Sequence, residues 1–215
     1  MRVKKAAALL FAALMIITLG GCAIKNKGDK LAETGAAAYT AGNYETALEN
    51  LKAAEAAGLS EYSIVDLKAF LGSTYLKLGD TDNAILYYKQ VTDSRSFEMT
   101  PWLNLGVAQK TAGLYDEALE SYKKAEQFDN GGKEAALLYL SMGNLYIEEN
   151  RPLDAIDVLI KATERNPDFA DAYAYLAIAY AQMLDFDNAD MNYNKAAELG
   201  YGQLGLIKEQ IDKFR

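Results

Sequence analysis

The 215-residue chain contains no histidine, and that absence excludes more chemistry than any motif in it suggests. Imidazole is the usual base behind a serine or cysteine nucleophile, the usual proton shuttle near neutral pH and the commonest zinc ligand. Cysteine is almost as scarce. Cys22 is the only one, so no disulfide can close within a monomer. No glycine-rich stretch has the form of a phosphate-binding loop, and no proline- or serine-rich linker or low-complexity tail divides the chain. Basic residues are the minority, 22 Lys and Arg against 30 Asp and Glu, for a formal charge of −8. Residues 1–21 carry Arg2, Lys4 and Lys5 but no acid, so their removal leaves −11. That balance argues against nucleic acid and against broad adhesion to anionic headgroups. Together these gaps point away from catalysis, cofactors, metal sites and small-molecule substrates.

What is present starts with an address. Arg2, Lys4 and Lys5 precede an apolar run from Ala6 to Leu19, followed by Gly20, Gly21 and Cys22. The run is too short for a comfortable membrane span and suits a secretory signal. The ending Leu19-Gly20-Gly21-Cys22 resembles a bacterial lipobox. The resemblance implies cleavage after residue 21 and acylation of Cys22, which also accounts for a lone thiol in an exported chain. An ordinary signal with a chance cysteine and an uncleaved anchor are the alternatives. Two acyl chains give stable anchoring where one does not. Residues 22–27 are then the lipidated cysteine and a short tether, and the protein is expected on the extracytoplasmic side of a bacterial membrane. By resemblance to lipoproteins of two-membrane bacteria, Ala23 after the cysteine permits the outer membrane; the plasma membrane is the other possibility.

The remainder is periodic. Gly35, Gly72, Gly106, Gly143 and Ala177 recur at steps of 37, 34, 37 and 34 residues. Twelve residues past each stands Ala47, Ala84, Ala118, Ala155 or Ala189, and seven further Ala54, Val91, Ala125, Ala162 or Ala196. Three ladders in one register mark stacked helical hairpins. Glycine inside a helix costs about 1 kcal/mol relative to alanine, so its recurrence predicts close backbone approach. Large residues alternate with the small ones: Leu71, Leu105, Met142 and Leu176 before the small position, Tyr75, Tyr146 and Tyr180 three beyond it. Leu51, Tyr88, Tyr122, Leu159 and Tyr193 serve the second helix. Breaks fall mid-repeat at Gly42-Asn43, Gly79-Asp80, Gly113-Leu114 and Asn150-Arg151-Pro152. The two steps of 37 place three extra residues in loops near 58–62 and 130–133.

At these residues the chain resembles the tetratricopeptide repeat family. Trp102-x-x-Leu105-Gly106 with Tyr115, Ala118, Tyr122 and Ala125 is one good copy; Tyr139-x-x-Met142-Gly143-x-x-Tyr146 with Ala155, Ala162 and Pro167 is another. Gln109 departs from the pattern by replacing an aromatic, and Ala177 by replacing a glycine. The resemblance implies an all-α, right-handed solenoid of five hairpins, at 28–61, 65–98, 99–132, 136–169 and 170–203. Residues 204–215 are expected to form a capping helix through Leu204, Ile207, Ile211 and Phe214, since a terminal repeat otherwise exposes its apolar side; a partner-binding tail is the alternative.

Two chemical temptations have plainer readings. Asp185-Phe186-Asp187-Asn188-Ala189-Asp190 has oxygens at alternate positions, but Ala189 occupies a ligand position of a calcium loop and no glycine supplies the turn. It reads as a helix opening with carboxylates at the positive helix end. Fifteen tyrosines suggest carbohydrate stacking, yet most lie on the ladder; Tyr39, Tyr62, Tyr87, Tyr175 and Tyr201 lie off it.

In the family, first helices line a concave groove that binds extended or helical peptides. Carried over by register, the groove-facing positions include Ala69, Ser73 and Leu76, then Lys110, then Ala174 and Ala181, and the implied partner groove centres on Leu103, Asn104, Val107, Leu140, Asn144, Ile147 and Ile178; packing between adjacent first helices is the alternative at each position. The lysine–asparagine carboxylate clamp of some members is absent, since Ala32, Ala36, Phe70 and Thr100 stand in its places. The resulting expectation is a non-catalytic envelope lipoprotein binding a protein or peptide partner, as scaffold or adaptor. A regulatory or chaperone-like subunit of an envelope assembly or cell-wall enzyme complex is the alternative. Relatives of that kind assist pilus assembly, outer-membrane protein insertion and cell-wall enzymes.

Overall fold

The computed structural model describes residues 25–215, among which there are eleven α-helices and no strand. The expected signal segment, residues 1–21, and the expected acylation site Cys22 lie outside the described residues. Ten helices pair into five hairpins: α1 (Lys27–Thr40) with α2 (Tyr44–Ala57), α3 (Ile64–Lys77) with α4 (Thr81–Ser94), α5 (Met99–Thr111) with α6 (Tyr115–Glu126), α7 (Ala135–Glu148) with α8 (Pro152–Arg165), and α9 (Ala170–Gln182) with α10 (Phe186–Glu198). A shorter α11 (Leu204–Asp212) closes the stack. No helix among the described residues is long and apolar enough to cross a membrane.

Each hairpin turns on a residue in the left-handed region. Gly42, Gly79 and Gly113 take φ of 79°, 82° and 77°, and Asn150 takes 55°, as expected of the residues that tolerate it best. The fifth turn differs: Leu184 holds φ of 60° with its side chain 64% exposed. Side-chain caps start several helices. Asp80 and Asp185 accept from the backbone N–H of Asn83 and Asn188 at 3.1 and 3.2 Å, so the Asp185 cluster is a helix opening.

The alanine ladders do what small residues should: all nine alanines among them are fully buried where the second helix meets its partner. The glycine ladder acts differently from expectation. The group opposite each glycine is the large side chain of the second helix rather than its backbone. A methyl on Gly35, Gly72, Gly106 or Gly143 would lie 2.6, 3.1, 2.5 or 2.5 Å from Leu51, Tyr88, Tyr122 or Leu159. Backbone comes second: the Leu51 amide nitrogen lies 3.1 Å from such a methyl on Gly35, and the Ala118 carbonyl 3.2 Å from one on Gly106. Each glycine is a socket for one large residue, and the fully buried Tyr122, Leu51 and Leu159 depend on it.

Stacking joins each second helix to the following first helix. The buried residues form three clusters along the axis. One runs from Ala32 to Ala108, a central one from Leu103 to Ala179, and a third from Ala174 to Ile211, which includes Ile207 and Ile211 of α11. Trp102 packs against both the first and the central cluster, and its indole Nε1 donates to the Ser96 carbonyl at 2.9 Å. The departure at Gln109 is compensated locally: its amide oxygen accepts from the Ser121 hydroxyl at 2.6 Å, both groups buried.

The two longest inter-repeat loops, 58–63 and 127–134, fall where the steps of 37 put extra residues. Each closes on an aspartate. Asp29 of α1 is buried; its Oδ1 accepts from the backbone N–H of Ser60, Glu61 and Tyr62 at 3.0, 3.1 and 2.9 Å, and its Oδ2 from the Ser60 hydroxyl and from the Asn26 N–H at 3.1 Å. Burial opposes ionisation of this carboxyl, but the Ser60 hydroxyl and the three loop N–H groups outweigh it and hold its pKa well below the usual range. Asp129 gathers its own loop. It accepts from the Gly131 N–H at 2.8 Å, the Tyr139 hydroxyl at 2.7 Å and the Arg165 guanidinium at 2.8 and 3.1 Å. Here too burial is outweighed, first by Arg165, and the pKa is lowered.

Candidate partner-binding groove

Curvature follows from which helices meet. First helices approach the next first helix at three junctions, α1 with α3, α5 with α7 and α7 with α9, whereas second helices do not draw together in this way. The first helices therefore occupy the inside of the bend, and their outward residues line a groove.

The structure sorts the groove residues read from the repeat register. Val107, Leu140 and Ile147 are half-buried, leaning on the central cluster while keeping a face open. Asn104 is half-exposed, and its side chain makes no hydrogen bond among the described residues. The Asn144 amide donates weakly to the Tyr175 hydroxyl at 3.4 Å. Leu103 and Ile178 are corrections. They are only 5% and 3% exposed, and the register positions Ala174 and Ala181 are fully buried, so none of the four can meet a partner in this arrangement. Leu103 is absorbed by the cluster containing Leu138 and Tyr139, Ile178 by the cluster that α11 completes with Ile207 and Ile211.

Polar groups frame the strip. Lys110 reaches across from α5 to Glu148 of α7 with a 2.7 Å ion pair. The Gln182 amide donates to the Ile147 carbonyl at 3.2 Å, which ties α9 to α7. Towards the N-terminus, Asp66, Ala69, Phe70 and Ser73 of α3 line a hollow of about 190 Å³. Phe70 meets Tyr39 edge to face at 5.8 Å. Phe70 belongs to this surface although the register assigned it only to a vacated clamp position; an aromatic replacing a polar clamp residue was the available signal.

The off-ladder tyrosines bridge repeats. Tyr87 donates to Glu55 at 2.9 Å and stacks on Tyr75 at 5.7 Å, and burial followed by Glu55 raises its pKa. Tyr39 and Tyr175 are likewise engaged with neighbouring helices. Among the described residues, no group of three or more cysteine, aspartate and glutamate side chains is placed to hold a metal. The groove thus offers an apolar strip, one free carboxamide and a framing ion pair, which suits noncovalent recognition of a peptide surface.

Five stacked two-helix hairpins with an open inner face and a closing helix define an α-helical repeat solenoid. The tetratricopeptide repeat profile matches residues 33–98, 70–133 and 140–200, and the chain belongs to that family, whose members bind protein partners. Heat shock protein STI1 of Saccharomyces cerevisiae is 31% identical over 161 residues, 72% of this chain and 25% of that protein. Outer dynein arm-docking complex subunit 4 of Danio rerio is 23% identical over 148 residues, 62% of this chain and 30% of its own. The chain therefore spans a quarter to about a third of these curated relatives. Among solved structures, Pseudomonas aeruginosa pilF superposes with a TM-score of 0.71 at 18% identity, covering 87% of this chain and 88% of that one. MamA gives 0.66 at 22%, covering 80% and 91%. At such identities these structures establish the shared fold alone.

Proposed function

We propose that this chain is an envelope lipoprotein, acylated at Cys22 and held on the extracytoplasmic side of a bacterial membrane. It serves as a non-catalytic scaffold or adaptor for a protein partner seated in the groove. The observation that carries the binding reading is the open strip of Val107, Leu140 and Ile147 beside the unengaged Asn104, on the inside of the bend. The lipobox and the solitary cysteine support the address.

Crosslinking in the native envelope should capture a partner through this face. Val107→Glu combined with Ile147→Lys should reduce capture at least tenfold, about 1.4 kcal/mol, with helical circular dichroism unchanged. Capture that survives this pair but is lost with Leu206→Glu, an exposed change on α11, would move the binding site to the capping helix. Cys22→Ala should abolish acyl labelling and leave an unprocessed or released protein. A mature-sized variant still partitioning into detergent would overturn the lipoprotein reading.

A further inference from the structure

The described chain begins at the edge of the solenoid where the first helices start. Lys25 pairs with Glu33, and the Asn26 side chain caps α1 while donating to the Gly58 carbonyl at 3.1 Å. Only Ala23 and Ile24 separate the acylation site, Cys22, from this docked segment, and the three residue steps span at most about 10 Å. Helices of 12 to 14 residues make up the five hairpins, so the opposite edge stands about 20 Å away. An anchor this short keeps the start of α1, on the starting edge, near the bilayer.

The near edge carries apolar groups that packing does not require. Phe97, in the loop before α5, is 84% exposed and meets Phe128 of the next loop edge to face at 6.2 Å. Ile64, the first residue of α3, is exposed on the same edge. Exposed apolar side chains occur on the far edge as well, at Leu114, Leu153 and Leu184. What separates the two edges is the tether.

Building on the lipoprotein reading, we infer that the edge formed by the loops before the first helices lies against the bilayer, with Phe97 in the interfacial layer. An aromatic ring suits that layer. The contact is weak alone, because Glu98 and Glu134 flank the ring pair and oppose an anionic surface. Tethering makes it intramolecular, at an effective concentration in the millimolar range for a short linker. The patch therefore sets orientation more than affinity: the helices stand up from the membrane and the groove opens sideways along it.

The test uses the full-length acylated protein in phosphatidylethanolamine–phosphatidylglycerol vesicles that carry a nitroxide near the headgroup. With Cys22 acylated, an environment-sensitive thiol dye reaches only a cysteine introduced by Phe97→Cys or, on the far edge, Leu153→Cys. The dye at position 97 should be quenched at least about twofold more strongly than at 153, as expected for insertion of roughly 5–10 Å. Equal quenching, or stronger quenching at 153, in protein shown by mass to be acylated overturns the orientation and leaves the lipoprotein reading standing. Absence of acylation overturns both.

Discussion

A methyl group on Gly106 would lie 2.5 Å from the ring of Tyr122, a side chain with no exposed surface. The ring is fully buried within the central cluster, so giving way means displacing packed neighbours. Gly106→Ala should therefore destabilise by about 1–2 kcal/mol, overpacking outweighing the roughly 1 kcal/mol gain in helix propensity. Gly72→Ala, whose methyl would stand 3.1 Å from Tyr88, should cost less. Urea midpoints of the two variants decide; a stabilised Gly106→Ala would show that the socket has slack.

Leu184 occupies a turn position where three other repeats use glycine and one uses asparagine. A branched apolar residue there bears backbone strain of about 1–2 kcal/mol and gains little from an exposed side chain. Leu184→Asn should raise stability by about 0.5–1 kcal/mol. A thermal midpoint that falls would mean that Leu184 makes contacts worth more than its strain.

Gln109 and Ser121 form a buried pair in which each satisfies the other. Gln109→Leu should cost about 1–3 kcal/mol by leaving the Ser121 hydroxyl without its partner, and adding Ser121→Ala should recover much of that loss. Additive losses in the double-mutant cycle would contradict this.

Acid should weaken the fold through Asp29 and Asp129. Both carboxyls ionise at lower pH in the folded protein than in the unfolded chain, where aspartate titrates near about 3.9. The folded state then binds fewer protons, so this stabilisation is complete above the unfolded value and is lost as pH falls through the folded ones. Asp29→Asn and Asp129→Asn should each be less stable at pH 7 and lose less on acidification below about pH 4. Denaturation curves at both pH values test this, and unchanged acid sensitivity in both variants would refute it.

Much of this architecture is legible in the sequence because its signals are local and periodic. The alanines report buried contacts, Gly42, Gly79 and Gly113 report turns, and Ile207 and Ile211 report a cap. What escapes is set by distance in the chain. Asn26 and Asp29 form a local capping box, but the loop that Asp29 gathers lies 31 to 33 residues away. The glycines signal close approach without naming what approaches, and the occupant is a side chain. In the groove, register identifies the inward face but not how far neighbouring helices overlap. Val107 and Ile147 stay open, whereas Leu103 and Ile178 are covered by α7 and by the capping-helix cluster. Leu184 could not be anticipated from propensity, which argues against leucine at that backbone angle.

Trp102, the only tryptophan, sits at the seam between the first two buried clusters. Its fluorescence is consequently an intrinsic gauge of whether the N-terminal repeats remain joined to the rest. If the seam parts first under denaturant, water reaches the indole and its emission shifts to the red while the helices on both sides still contribute to circular dichroism. If the two signals travel together, the solenoid melts as one cooperative block rather than as a chain of semi-independent links.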